Sequence, residues 1–241
     1  MPITYYVFRI CQSINIEFYD DKDMNKNEHE KNTELSQSDV SHIRGNFLNM
    51  NNVMEKSGVT HDVITKWHDR GEFPEPTYVT QDGVLWYPPY LVILIERSLR
   101  NDTNPKYEFL LDAKKVLEKP GYVYRFGQVE KTGTDDEDAE KMWDDFKSGL
   151  YGACLRKPDP KSIMAKGSLI KTIKELLANP DPENVEWCEK LRKTVNELDS
   201  VEAQFTDFDR KRFGGTVSRD VYITSIKKQY SHIFTEKNNI R

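Results

Sequence analysis

The chain of 241 residues is short of several things, and each shortage excludes something. It has three cysteines, Cys11, Cys154 and Cys188, in no C-x-x-C pair, so neither a disulfide framework nor a thiolate metal knuckle is written into it. Long apolar runs are missing; the longest, Leu91 to Ile95, is far below the roughly 20 residues a membrane helix needs. The start, MPITYYVFRICQSINIEFYDD, lacks the clean apolar run and small-residue cleavage site of a signal peptide, and a cytoplasmic location is expected. Excess positive charge is missing too: 35 Lys and Arg face 40 Asp and Glu, a net of −5, so the molecule as a whole is no electrostatic clamp for nucleic acid. No H-E-x-x-H, phosphate loop, G-x-S-x-G or dinucleotide G-x-G-x-x-G occurs. The five histidines are scattered, and His61 and His68 are seven apart, not the four that puts two metal ligands on one helix face. No cofactor, metal or catalytic residue is therefore expected, and the chain leans away from being an enzyme.

What is present divides into three parts. Residues 1–40 carry four basic and eight acidic residues, and the stretch from Asp20 to Asp39 is almost free of apolar side chains, which reads as a disordered or extended tail. Met24 within it is an alternative start to Met1. Residues 41–100 read as a compact head of helix, turn, helix, hairpin, helix. Asn49 is placed to cap a helix whose Met50, Val53 and Met54 share a face, and Gly58 suits a left-handed stop. Thr60 is placed to cap a second helix with Val63, Ile64 and Trp67, ended by Gly71, Pro74 and Pro76. Tyr78-Val79 and Val84-Leu85-Trp86 flank Asp82-Gly83, a strong hairpin signal, and Pro88-Pro89 open a further helix.

Residues 101–241 read as a wholly helical domain. Helices are expected over 105–119, 134–155, 160–178 and 182–205, with a last one from Ser218. The run Thr134-Asp-Asp-Glu-Asp places acids where the positive end of a helix dipole favours them. The Gly214-Gly215 pair reads as a turn between helices. Residues 206–241 hold eight basic and four acidic side chains and form the one basic segment. The fold class is therefore mainly α: a winged helix-turn-helix module with a small β-hairpin, followed by a helical domain.

The stretch Val53 to Pro76, VMEKSGVTHDVITKWHDRGEFPEP, resembles the DNA-binding head of MerR-type regulators and phage excisionases, through Gly58, Val59, Thr60, Trp67, Gly71, Phe73, Pro74 and Pro76. The resemblance implies a dimeric, DNA-reading head whose contacts fall on Thr60, His61, Lys66 and Arg70. Charge argues the other way. Lys66 and Arg70 are balanced by Asp62 and Asp69, and from Gly71 to Glu96 there are four acids and no Lys or Arg. Phosphate contacts supply much of the affinity for DNA, and this wing has none to offer.

A second stretch, MWDDFKSGLYGACLRKPDPKSIMAKGSLIKTIKELL with LRKTVNELDSVEAQF and SRDVYITSIKKQY, is similar to the domain-of-unknown-function family 6058, a bacterial family labelled as associated with natural-product biosynthesis. Trp143, Phe146, Gly149, Tyr151, Gly152, Cys154, Arg156, Ile163, Lys166, Leu198, Asp199 and Phe205 carry the match. It implies a helical domain behind a helix-turn-helix and supplies no activity. Gly167 stands where the resemblance puts an acidic residue beside Lys166.

Three functions follow as expectations. The first is a non-enzymatic protein that docks a protein partner through a degenerate head. The second is a DNA-binding regulator. The third is an enzyme or accessory factor of small-molecule biosynthesis, with a ligand pocket at Tyr151, Cys154, Arg156 and Lys166. For that last set the plainer reading puts Cys154 in the core and pairs Lys166 with Asp199 or Glu202.

Overall fold

The computed structural model describes residues 34–118 and 135–235. Most of the expected tail, both candidate starts and Cys11 lie outside them. Helix α1 (Gln37–Asn46) takes in the last residues of that expected tail. The Ser36 hydroxyl accepts from the Asp39 amide at 3.2 Å while the Asp39 carboxylate accepts from the Ser36 amide at 2.8 Å, a capping box that starts a helix in a polar stretch. Ile43 and Phe47 then supply the buried anchors.

Strand β1 (Leu48–Asn49) leads directly into α2 (Met50–Ser57), capped as expected by Asn49, whose Oδ1 accepts from the Asn52 amide at 2.9 Å. Gly58 is left-handed, and α3 (His61–Asp69) follows with Ile64 and Trp67 turned inward. The hairpin of β2 (Tyr78–Val79) and β3 (Leu85–Tyr87) turns at Asp82-Gly83. Its base is tied by Trp86 Nε1 donating to Thr80 Oγ1 at 3.0 Å, and Thr80 Oγ1 donates in turn to Asp82 Oδ1 at 2.6 Å. All pairing is antiparallel in the order β1-β3-β2, with Leu48 opposite Tyr87 and Tyr78 opposite Trp86. Helix α4 (Tyr90–Asn101) starts at Pro88-Pro89, where a missing amide donor costs nothing.

The other described elements are helices: α5 (Pro105–Leu117), α6 (Asp135–Lys147), α7 (Leu150–Cys154), α8 (Pro160–Ala178), α9 (Val185–Val201) and α10 (Asp207–Arg212). A π-helical turn (Asp220–Thr224) then runs into α11 (Ser225–Gln229) and α12 (Ser231–Phe234). The single helix expected over 134–155 is two. Gly149 sits at φ 78°, and a Cβ there would stand 2.5 Å from the Pro76 carbonyl oxygen, so the chain breaks to let the segment before β2 pass. Among the described residues no helix is long and apolar enough to cross a membrane.

Among the described residues, three apolar clusters form the interior. One lies within the head, around Val53, Ile64, Trp67, Phe73, Leu91 and Ile95. One lies among α8, α9 and the last helices, around Ile173, Trp187, Leu191 and Ile226. The largest crosses from head to helical body: Ile43, Phe47, Tyr78, Trp86, Tyr90 and Leu94 pack with Phe109, Trp143, Phe146, Tyr151 and Phe205. That cluster has members on both sides of residue 100.

Candidate functional site

Among the described residues, polar side chains come together on the outer face of α3, in the interior around Glu202 and at the seam between β2 and α10, as well as around the buried Glu108, which Arg97, Asn101 and Thr103 hold between α4 and α5.

The outer face of α3 exists because Ile64 and Trp67 take the inner one. Thr60, His61, Lys66 and Arg70 are all exposed, together with Asp62, Thr65, His68 and Asp69. Thr60 Oγ1 makes no capping bond. The face is knit locally: His61 Nδ1 lies 3.3 Å from Thr65 Oγ1, and His68 Nε2 lies 3.6 Å from Glu75 Oε1. At the hairpin tip the Asp82 carboxylate is held below its ordinary range, mainly by the Thr80 hydroxyl, with help from the Val84 amide and Arg44. Arg44 approaches it to 3.9 Å.

The four residues read as a ligand pocket divide into two pairs. Tyr151 and Cys154, on the short helix α7, are 5% and 2% exposed and belong to the shared core. Arg156 and Lys166 go to an ionic network instead. The α7 exit pairs with the α9 exit as a one-rung bridge between Leu155 and Glu202. Its bonds run from the Arg156 amide to the Val201 carbonyl at 3.1 Å and from the Ala203 amide to the Cys154 carbonyl at 3.1 Å. That rung puts Glu202 in the interior with no exposed surface. Lys166 Nζ stands 3.0 Å from Glu202 Oε1, and the Ser218 hydroxyl donates to the same oxygen at 2.5 Å. Lys166 thus takes an acidic partner 36 residues away, with Gly167 beside it.

The network continues outward. Asp199 accepts from both Arg219 and Lys227. Burial alone would raise its carboxyl, but the bonds from Lys227 and Arg219 outweigh that and hold it below its ordinary value. Arg156 reaches the Asp199 carbonyl at 3.5 Å. Ser218 and Arg219 were not marked in the sequence as partners of this cluster, and nothing in their spacing from residues 199–202 announces it.

The seam is the third place. Thr77 Oγ1 donates to the Gly149 carbonyl at 2.8 Å, and the Glu75 amide donates to the Lys147 carbonyl at 2.8 Å. A Cβ on Gly152 would stand 2.1 Å from Thr77 Oγ1. From the other side, the Tyr78 hydroxyl donates to both oxygens of the fully buried Asp209, at 3.1 and 3.0 Å. Burial, then the Asp209 charge, drives the Tyr78 phenol far above its ordinary range. Arg212 Nη1 donates to the Thr77 carbonyl at 2.9 Å, and its guanidinium lies 4.9 Å from the centre of the Tyr78 ring and 4.8 Å from that of Phe213. Thr206 and Asp209 form a second capping box, a T-x-x-D spacing that was legible in the sequence and marks the start of α10. Among the described residues no three His, Cys, Asp or Glu side chains gather in a way that would hold a metal ion.

Residues 112–231 match the model of a family of unknown function, DUF6058. The matched segment contains the Glu202 network and α10; the head lies before it. No curated protein and no solved structure matches the chain.

Proposed function

We propose that this protein is a non-enzymatic binding protein whose head is a degenerate winged helix-turn-helix, used to dock a protein partner in place of duplex DNA. The winged plan is supported by the order helix, strand, helix, turn, helix, hairpin, with the first strand pairing to the last strand of the hairpin. In such a plan α3 is the recognition helix and the β2–β3 tip is the wing.

The observation that carries the loss of DNA reading is where the positive charge goes. The exposed α3 face sets Lys66 and Arg70 against Asp62 and Asp69, and the wing tip carries Gln81-Asp82-Gly83. The basic C-terminal segment makes good only part of the deficit, because four of its eight cations are paired with carboxylates of the body while Lys211 and Lys228 are exposed. Arg210 pairs with Asp220, Arg212 with Asp209, and Arg219 and Lys227 with Asp199. Affinity for duplex DNA rests on counterions released by phosphate-contacting cations, and a neutral recognition face releases few.

The test is fluorescence anisotropy of the full chain against random-sequence duplex DNA, titrated across salt. No binding at low salt and micromolar protein is expected. Binding that falls steeply with ionic strength, and that Lys66→Ala and Arg70→Ala each weaken, would overturn the docking reading. It would establish the second one, a DNA-binding regulator of MerR or excisionase type. That reading draws on a specific feature of its own: Lys66 and Arg70 lie one helical turn apart on the exposed face.

A further inference from the structure

We propose that residues 206–213 form a releasable strap, closed over the outer edge of β2 by the Tyr78–Asp209–Arg212 cluster and hinged at Gly214-Gly215. The proposal concerns how the head is held and does not depend on what the head binds.

The strap is short, α10 and its cap; its grip on the head is polar and aromatic, and Phe208 and Phe213 add apolar contacts at the margin of the shared cluster. Tyr78 is the inward-facing residue of β2, the edge strand, and its hydroxyl is received by Asp209. Arg212 covers the Thr77 carbonyl just before that edge. The strap also lies beside the first helix: burial would raise the Asp39 carboxyl, but the Ser36 bonds of its own cap, with smaller help from the Phe208 backbone and the Thr206 hydroxyl, hold it below its ordinary value. One segment therefore touches α1, β2 and the body at once.

Two features make the closure reversible in kind. First, the cluster is incompletely satisfied. Asp209 is saturated, accepting from Tyr78, the Thr206 amide and the Thr206 hydroxyl beside its ion pair with Arg212. The Arg212 guanidinium is not: its Nε and Nη2 are buried without a hydrogen-bond acceptor among the described residues, and Nη2 meets Asp209 as an ion pair at 3.2 Å only. Opening returns those donors to water, which offsets much of what is lost, whereas an apolar closure has no such return. Second, the strap has a pivot. Phe205 and Phe213, just before it and at its end, pack edge to face at 6.0 Å. Gly214 and Gly215 follow at φ 84° and 92°, with open space around both. A chain can swing there without forcing a side chain through a clash.

Hydrogen exchange of the full chain, read by mass spectrometry, tests this. The expected result is that peptides covering residues 77–79 and 207–213 exchange together. They should do so at least tenfold faster than the amides of α5 and α6 around Phe109 and Trp143, through an opening that leaves the core closed. Tyr78→Phe, which removes one hydroxyl bonded to a carboxylate, should speed both peptides by roughly tenfold and leave α5 and α6 unchanged. The strap reading is overturned if the two peptides exchange only as slowly as α5 and α6. It is equally overturned if they exchange at rates unrelated to each other. Should the variant fail to fold, the wild-type comparison decides alone.

Discussion

Glu202 shows how far one residue's meaning depends on what surrounds it. In the sequence it is one of several acids near the end of a helix; in the structure it has no exposed surface and shares one oxygen between Lys166 and Ser218. Removing one partner of a buried ion pair strands the other charge. Lys166→Met is expected to cost about 3–5 kcal/mol in denaturant unfolding, and the double variant with Glu202→Leu less, because no charge is left behind. Gly152 makes the opposite case, where added volume is the fault. Gly152→Ala drives a methyl into Thr77 and should cost about 1–3 kcal/mol. Combined with Thr77→Ala, which removes the obstructing hydroxyl, the total should fall below the sum of the two single effects; a purely additive result would argue against the contact.

Acid sensitivity also belongs to single residues. At Glu108 burial alone would raise the carboxyl, but Asn101, Thr103 and Arg97 outweigh it, and Lys227 and Arg219 do the same at Asp199. Both folded values lie below the ordinary ones of 4.5 and 3.8. A depressed carboxylate contributes stability that is whole above its unfolded value and is lost as pH falls through its folded one. Stability measured by urea unfolding should therefore hold from neutrality down to about pH 5 and decline below about pH 4. Asp199→Asn should flatten part of that decline.

At the scale of elements, α4 is the piece that joins head to body. Leu91 and Ile95 pack into the head cluster, while Tyr90 and Leu94 pack into the shared one, so a single helix feeds two cores from adjacent faces. Leu94→Ala opens a cavity in the shared core and is expected to cost about 2–5 kcal/mol. The elements themselves were largely readable from sequence. Asn49, the left-handed Gly58, the Asp82-Gly83 turn and the Pro88-Pro89 helix start are local signals, and each stands where the sequence puts it. Helices α1 and α10 were missed although each opens on a capping box, S-x-x-D and T-x-x-D, because the first lies in a charged stretch with few apolar residues and the second, at six residues, is too short to show a period. The break at Gly149 was missed for another reason: what forces it is the Pro76 backbone, 73 residues earlier in the chain.

For the whole molecule, the shared core joins head and body, and the two are expected to unfold together. Trp67 reports on the head cluster, Trp143 on the shared core and Trp187 on the C-terminal cluster. Single-tryptophan variants retaining Trp67 or Trp143 should give coincident urea midpoints that also match the far-ultraviolet circular dichroism. A head that melts before Trp143 would show that the seam contributes little. The pairing of basic C-terminal residues with carboxylates of the body is likewise a property of the whole: local charge counts make residues 206–241 the basic segment, yet Arg210, Arg212, Arg219 and Lys227, half of its eight cations, are engaged by Asp220, Asp209 and Asp199.

What the sequence by itself determined is what near neighbours decide: the Asn49 cap, the turns, the hairpin, the inward stripe of α3, the lack of a catalytic motif, and the balanced charge of the α3 face. What only the tertiary structure decided is which distant residues meet. Tyr151 and Cys154 went to the core while Arg156 and Lys166 went to the 199–202 segment, although all four lie within 16 residues of one another. Tyr78 found Asp209 across 131 residues. Such pairings follow from how helices stack to bury their apolar faces, and a charge takes whichever partner that stacking brings within reach, which spacing along one chain does not encode.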